Sequence, residues 1–331
     1  VTTGEEHKTA DTYQLDTEAV CVPMISSFGH GKAGLKRVHY IKGKFALANI
    51  LTALIVKEPR ELSTKYLALY LQTFKDQLIV PLQTGAANMS LRPEKLAGVP
   101  IKYPSLKEQE RIFYLLDEVE SIRRLRDKTI ERTRALIPAL FVEIFGNPVS
   151  NPKGWEVRPF GELVRNQDGR RKPVKASDRA ERKGLYPYYG ASGIIDYVDD
   201  FLFEEQALLI AEDGANLLAR STPIAFIANG KYWVNNHAHV VTENGLAKLE
   251  YLCEYFNLIN VKEYVTGSTQ PKLNQSRLNN IKIPVPPIPL QKLFGERVDE
   301  VRLIEQKIDE SAKEIEKLYN SMLSTAFGGT L

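Results

Sequence analysis

The stretch Ile101–Phe145 recurs in this chain as Ile283–Phe327, and no other feature of the sequence limits the fold as tightly. Ile101, Pro104, Gln109 and Leu136 fall on Ile283, Pro286, Gln291 and Leu318 at a constant separation of 182 residues. The register opens at Thr84-Gly85 against Thr266-Gly267 and holds to Phe145-Gly146 against Phe327-Gly328. Ahead of these stretches Gly43–Asn49 aligns with Gly230–Asn236 at 187 residues, and Gly4 then falls roughly at Gly190. Two related halves follow, because self-similarity at a fixed period marks a repeated structural unit.

Each copy reads as a strand end followed by a long helix. Ile281-Lys282-Ile283-Pro284-Val285 alternates at period two and stops at Pro286-Pro287, where the donors needed to extend a ladder are missing. From Leu290 the spacing turns helical. Phe294, Val298, Val301, Ile304, Ile308, Ile315, Leu318 and Met322 form one apolar stripe between charged faces. Ile112, Leu116, Val119, Ile122, Leu136, Leu140 and Ile144 do the same in the first copy. About 35 helical residues at roughly 1.5 Å each give a rod on the order of 50 Å. Such a stripe needs a partner, and two rods predict mutual pairing as a coiled coil; the alternative is a helix lying on its own domain. Pro138, where the second copy has Asn320, predicts a kink or stop near Leu136.

A chain of 331 residues accommodates two cored domains, and 43% hydrophobic with 26% charged residues is ordinary for a globular protein. No apolar run reaches transmembrane length, and no signal peptide is expected. The two cysteines, Cys21 and Cys253, are far apart and predict a reducing, cytoplasmic setting. The net charge of +3 says little, but its distribution is uneven. Residues 19–57 hold six Lys/Arg and no acid, and residues 165–183 hold eight basic against three acidic. The helix over 107–134 is balanced, at eight to seven. Positive charge therefore gathers outside the rods, as expected of segments that face phosphate.

Along the chain, strands are predicted at Val20–Ile25 and Leu35–Tyr40 around the glycine-rich turn 27–34, a helix at Ser63–Phe74, and a loop at Leu78–Leu91. Phe145-Gly146-Asn147-Pro148 ends the first rod and Asn151–Trp155 is a linker. Residues 155–188 of the second unit have no counterpart ahead of Val1, so the first unit is expected to lack the corresponding start.

Taken together, these motifs resemble the specificity subunit of type I restriction–modification systems. The resemblance rests on Gly154–Leu163, Tyr188–Gly193, Leu208–Gly214, Trp233–His239, Thr266–Leu273, Ile281–Pro287 and the helix that follows. In the first half it rests on Thr84-Gly85, Ile101–Ile112 and Phe145–Pro148, while Asn88–Leu91 departs from Gln270–Leu273. No single motif is decisive, but their duplicated order covers nearly the whole chain. The resemblance implies an α+β fold: two target-recognition domains separated by two long antiparallel helices, with a pseudo-twofold internal repeat. The domains are expected at 1–103 and 147–286, and the spacers at 104–146 and 287–331. It also implies a non-catalytic subunit that recognises a bipartite target on double-stranded DNA. The partners implied are two modification subunits, which methylate adenine with S-adenosylmethionine, and restriction subunits that translocate and cut. No cofactor is expected in this chain.

Gly29-His30-Gly31-Lys32-Ala33-Gly34 fits a dinucleotide fingerprint, but a basic, strand-like run follows where a helix is required, so a flexible binding loop is favoured. Arg170, Arg171, Lys172 and Lys175, with Arg179, form the densest basic run, read as phosphate contacts or else as a solvated loop. Asn216, Arg220, Gln270 and Asn274 are candidate base readers, since Arg can bridge guanine and Asn or Gln adenine. Lys32, Lys36 and Arg37 are their first-domain equivalents, and Lys272 is a candidate phosphate contact. His237 and His239 point the same way on a strand with no carboxylate cluster nearby, so no metal site is expected. Trp233, Tyr232, Phe45 and Tyr188-Tyr189 are assigned to core. No methyltransferase motif, P-loop or nuclease carboxylate–lysine set is present, and an enzyme is not expected. The alternatives are a helical adaptor that does not bind DNA, or a specificity subunit of a fused restriction–methylation or phage-defence system.

Overall fold

Ala19-Val20-Cys21-Val22 is apolar at every position and buried throughout, as a strand covered on both faces must be. It is the middle of β1 (Leu15–Pro23), flanked by β2 (His39–Phe45) and β3 (Leu51–Leu54), both antiparallel to it. The computed structural model describes residues 1–2, 9–28, 31–267 and 269–327. The chain divides into two units, Val1–Leu125 with Ala312–Leu331, and Arg126–Ser311.

In the first unit α1 (Thr64–Thr73) lays Tyr66, Leu67, Tyr70 and Leu71 into the core, followed by α2 (Lys75–Leu78) and α3 (Pro93–Ala97). The first rod is α4 (Leu106–Arg134) and α5 (Leu136–Phe145). The break at Ala135 is where Pro138, lacking an amide hydrogen, cannot continue the helical ladder. The second unit opens with β4 (Glu156–Pro159), α6 (Phe160–Leu163), β5 (Val164–Asn166) and α7 (Ala176–Glu181). Next come β6 (Lys183–Gly190), β7 (Gly193–Val198), β8 (Ala207–Ala211), α8 (Asn216–Ala219), β9 (Ala225–Ala228), β10 (Trp233–Val234) and β11 (Ala238–Glu243). It closes with α9 (Leu249–Leu258), α10 (Gln275–Asn279), β12 (Lys282–Val285) and the opening of α11 (Ile288–Phe327), an unbroken rod of 40 residues.

The repeat is legible bond by bond. The sheet order β2-β1-β3 of the first unit reappears in the second as β9-β8-β11, with β5 added at the β11 edge. Ala19 faces Ile41 and Cys21 faces Ala53; Ala207 faces Ala228 and Leu209 faces Val240. The Val1 carbonyl accepts the Ala48 amide at 3.1 Å, as the Tyr189 carbonyl accepts that of Asn235 at 3.1 Å. Tyr66 and Tyr251, matched on α1 and α9, donate their hydroxyls to the carbonyls of Lys102 and Pro284. Lys102 and Pro284 correspond at the 182-residue offset of the strand–rod stretch, and the two tyrosines at 185.

Within each unit, the start of one rod packs antiparallel to the end of the other. In the first, Arg123 of α4 pairs with Glu316 of α11 at 3.1 Å and stacks on Tyr319. Phe327 ends α11 among Tyr66, Tyr70 and Phe74, with ring centroids 5.2–6.0 Å apart. In the second, Phe145 ends α5 between Tyr251 and Phe294 at 4.8 and 5.3 Å. Phe145 and Phe327 are the same residue of the repeat. The stripe is buried at Phe294, Val298 and Val301, but Ile304 and Leu318 stand 47% and 53% exposed.

Two sequence expectations shift. The strand predicted at Leu35–Tyr40 begins only at His39, because the Gly34 and Val38 amides are taken by the side chains of Gln83 and Gln72. Leu35 and Val38 are buried as anchors of a loop. The helix predicted from Ser63 uses that residue as its N-cap position. Among the described residues no helix is long and apolar enough to cross a membrane.

Candidate nucleic-acid interface

Both units pin a Thr-Gly loop against the end of the central strand. In the second, Leu273 donates its amide to the Glu212 carbonyl at 2.7 Å, and Thr266 and Lys272 exchange backbone bonds at 2.9 and 2.7 Å. In the first, Leu91 donates to Met24 at 2.8 Å, and Thr84 and Ser90 exchange bonds at 2.8 and 2.9 Å. The glycine has a steric cause: a Cβ at Gly267 would lie 2.4 Å from the Gln270 carbonyl, and one at Gly85 2.3 Å from that of Asn88. Both glycines hold positive φ. Gln270 is exposed on this loop, while Ser268, Gly29 and His30 lie outside the described residues.

On that shared frame the side chains differ. Where the first unit has Met24, Thr52 and Ser90, the second has Glu212, His239 and Lys272. Lys272 Nζ lies 3.0 Å from the Glu212 carboxylate, whose other oxygen takes Arg171 at 2.7 Å. Arg171 also donates to the carbonyls of Ala238 at 2.7 Å and Asp168 at 3.1 Å. His239 is buried, with Nδ1 2.6 Å from the Asp168 carboxylate and Nε2 2.7 Å from the Leu273 carbonyl. Burial pushes the carboxyls of Asp168 and Glu212 up, but their bonds to His239, Arg171 and, for Glu212, Lys272 outweigh it, leaving both below the usual range.

This network corrects the expectation that no carboxylates lie near the histidines. Asp168, Glu212 and His239 place ligand-type atoms within 4.8 Å of one another. The chain brings them from three distant segments, so spacing could not reveal them. Arg171 and Lys272 pair with the Glu212 carboxylate and Arg171 also approaches that of Asp168, so the cluster is knit together by ion pairs. The histidines do not share surroundings: His237 is largely exposed and bonds Asp213 at 2.8 Å.

Several candidate readers serve the fold instead. Asn216 accepts the Thr222 amide and the Ser221 hydroxyl and donates to the Thr222 carbonyl, so its amide is consumed within its own loop. Arg220, in left-handed backbone, donates to the carbonyls of Phe256 and Asn257 at 2.9 and 2.7 Å, capping α9. Asn274 accepts the Arg277 amide at 3.0 Å as the N-cap of α10. Arg171 is likewise mostly buried, at 14% side-chain exposure. Arg170 is exposed but pairs with Glu205 and stacks on Phe203. Lys32, Lys36, Arg37, Lys172 and Lys175 are exposed, and none joins an ion pair among the described residues. Of the candidate residues, the exposed and unpaired cations are therefore these five, while half-exposed Lys272, like Arg170, is held by a carboxylate.

The sequence matches the family described as "Type I restriction modification DNA specificity domain" twice, over residues 2–132 and 152–317. It is 41% identical over 138 residues to a Haemophilus influenzae protein provisionally assigned as a type I restriction enzyme specificity subunit, covering 41% of this chain and 34% of that one. It is 24% identical over 247 residues to the MjaIX specificity subunit of Methanocaldococcus jannaschii, covering 63% and 55%. The chain thus spans about a third and just over half of these relatives' lengths. The fold is similar to the crystal structure of a type I restriction-modification S subunit from M. genitalium, with TM-score 0.67 and 18% identity over 98% of this chain and 87% of that one. Two copies of one sheet, one pinned loop and one rod, matched twice by the same family, place this chain in the type I restriction–modification DNA specificity domain family.

Proposed function

We propose that this chain is a non-catalytic subunit that selects a bipartite sequence on double-stranded DNA, one half-site for each unit. The observation that carries the reading is the Thr-Gly loop, held by the same backbone bonds in both units but bordered by different side chains. A constant frame with variable borders is what two readers of unlike sequences require. Lys32, Lys36 and Arg37 in the first unit, and Lys172, Lys175 and Lys272 in the second, supply phosphate contacts. Base contacts come from exposed loop side chains, with Gln270 the foremost candidate.

The rods act as rulers between the readers. At about 1.5 Å per residue α11 is about 60 Å long, enough to serve half-sites about one DNA turn, ~34 Å, apart. Chemistry belongs to partners in the cytoplasm: two modification subunits that methylate adenine using S-adenosylmethionine, and restriction subunits. The exposed apolar residues Leu125, Ile304 and Leu318 on the rods are the proposed modification-subunit contacts. The test is to map methylated adenines in DNA from cells carrying this chain with its modification partner. The expected result is one methylated motif in two parts with a fixed unread gap; a single contiguous motif would overturn the reading.

A further inference from the structure

In the second unit the Thr-Gly loop is tied down by side chains as well as by backbone. The Leu273 amide donates to the Glu212 carbonyl at 2.7 Å, as Leu91 donates to Met24 in the first unit. Here the carbonyl of the same leucine is taken too, by His239 Nε2 at 2.7 Å. The other ring nitrogen faces the Asp168 carboxylate at 2.6 Å, whose second oxygen accepts the Val240 amide at 2.8 Å. A carbonyl can only accept, and a carboxylate that the fold keeps ionised accepts as well. The ring therefore donates at both ends and carries positive charge. Glu212 is shared, one oxygen taking Arg171 at 2.7 Å and the other Lys272 Nζ at 3.0 Å. Two carboxylates thus face three cations, and the surplus lies at Lys272, whose side chain is 50% exposed where those of Arg171 and Glu212 are 14% and 12%. The neighbouring acid, Asp213, is engaged by His237 at 2.8 Å.

The first unit shows that the loop closes without these charges. Met24, Thr52 and Ser90 stand in the places of Glu212, His239 and Lys272, and the backbone bonds are the same. Stability is a poor reason for the network, because apolar groups of similar volume often serve a buried site as well as ion pairs do. What the charges add is direction. Arg171 fixes the Glu212 carboxylate, the carboxylate takes one of the three ammonium hydrogens of Lys272, and the other two are left facing outward. His239 meanwhile holds the carbonyl of the residue that follows Lys272.

We propose that His239 and Glu212 are positioning residues of the second unit's reader: His239 fixes the Gln270 loop through the Leu273 carbonyl, and Glu212 aims the Lys272 ammonium at a phosphate. The inference rests on the reading of this chain as a selector of DNA. A lysine already held in one direction loses less side-chain freedom when phosphate arrives, so its contact is tighter and its register along the duplex is set. Arg171 contributes from inside, by keeping Glu212 from turning away, and touches no DNA itself. The first unit carries no such device at the matching positions, so the two readers are held by different means.

Two variants of the full chain separate the two bonds of His239, since an asparagine amide nitrogen reproduces Nδ1 and a glutamine amide nitrogen Nε2. His239→Asn should speed amide hydrogen exchange at Thr266, Lys272 and Leu273 by about tenfold. His239→Gln should keep those amides at the parental rate, and Thr84, Ser90 and Leu91 of the first unit should not change in either. Equal exchange in the two variants would overturn the role of His239. Duplex binding across a salt series, by the chain with its modification partner, tests Glu212. Lys272→Ser should lower the slope of log affinity against log salt by about 0.9. Glu212→Gln keeps the volume and an acceptor for Arg171, yet should lower the slope by at least about half as much with Lys272 intact. The double variant should lose no more than Lys272→Ser alone, whereas a merely structural role would add a further loss. An unchanged or steeper slope in Glu212→Gln would overturn the proposal, because the carboxylate would then mask Lys272 instead of aiming it. A parent without salt-dependent affinity for duplex DNA would overturn the reading of the chain as a DNA selector too, and the exchange pattern, measured without DNA, tells the two failures apart.

Discussion

Gln291 accepts the backbone amide of Lys248 through its side-chain oxygen at 2.8 Å, and its nitrogen donates to the Pro286 carbonyl at 2.7 Å. Gln109 does the same for Ser63 and Pro104, at 2.8 Å in both bonds. Both glutamines are completely buried. Each fastens the first turn of a rod to the N-terminus of the helix on its unit's sheet, where a free amide would otherwise be left. Replacing either with Leu leaves a backbone donor and at least one backbone acceptor without its partner at a buried or part-buried site, at a cost on the order of 1–3 kcal/mol in all. Urea unfolding of Gln291→Leu and Gln109→Leu should show that loss, each mainly in its own unit; two variants as stable as the parent would refute the anchoring role.

Phe327 closes the first unit's core from the far end of the second rod, touching three aromatic rings. Truncating a buried phenylalanine in such a cluster costs about 3–5 kcal/mol. Phe327→Ala should therefore open the first unit to limited proteolysis well before the second. Phe145→Ala should reverse that order, since it fills the matching place in the second unit. Identical cleavage patterns from the two variants would show that the reciprocal packing does not hold the units.

The rods, the strand β12 that leads into α11 and the paired loops were legible in the sequence because periodicity and duplication both speak for them, whereas the strand expected ahead of α4 does not form at residues 99–105. Pro138 against Asn320 likewise foretold the break that α11 lacks. What escaped was chemistry assembled by folding. Asp168, Glu212 and His239 come from three segments with nothing in their spacing to join them. Arg171 sits in a run that reads as surface, yet its guanidinium is turned inward onto Glu212. Asn274, ahead of Gln-Ser-Arg-Leu, carries a helix-cap signal, and its side chain caps α10 where an amide on a loop reads equally as a base contact. Leu35 and Val38 are buried because both anchor a loop, and apolar loop anchors just ahead of β2 read in the sequence as part of the strand.

Asp168 and Glu212 hold their charge more readily in the fold than in an unfolded chain, since burial is outweighed by His239, Arg171 and Lys272. A carboxyl depressed in this way contributes stability above its unfolded value, about 4, and loses it as pH falls through the lower folded value. Glu212→Gln should therefore melt at a lower temperature than the parent at pH 7, and the difference should shrink below about pH 4. A difference that stays constant down to pH 3 would mean that the charge of Glu212 is not what stabilises the network.

The basic residues separate into two groups with different expected phenotypes. Lys32, Lys36, Arg37, Lys172 and Lys175 are exposed, so changing each to Ala should leave the fold intact. Each one that neutralises a phosphate should lower the slope of log affinity against log salt by about 0.9, for specific and nonspecific duplexes alike. Arg171→Ala should instead lower thermal stability, because it removes bonds to Glu212, Asp168 and Ala238. Filter binding across a salt series, set beside melting curves, distinguishes the two; an unchanged slope in the fivefold variant would remove these side chains from the interface.

If the rods are rulers, their length is written into the target. Four residues of helix added after Lys128 in α4, matched by four after Asp309 in α11, lengthen both rods by about 6 Å. Both positions are exposed, so the added turn displaces no buried side chain at the junction. Since DNA rises about 3.4 Å per base pair, the unread gap should grow by about one to two base pairs while both half-sites keep their sequences. Methylation mapping with the lengthened chain and its modification partner reads the gap directly. A gap of unchanged length, recovered with the parental half-sites, would mean that something other than the helices sets the spacing.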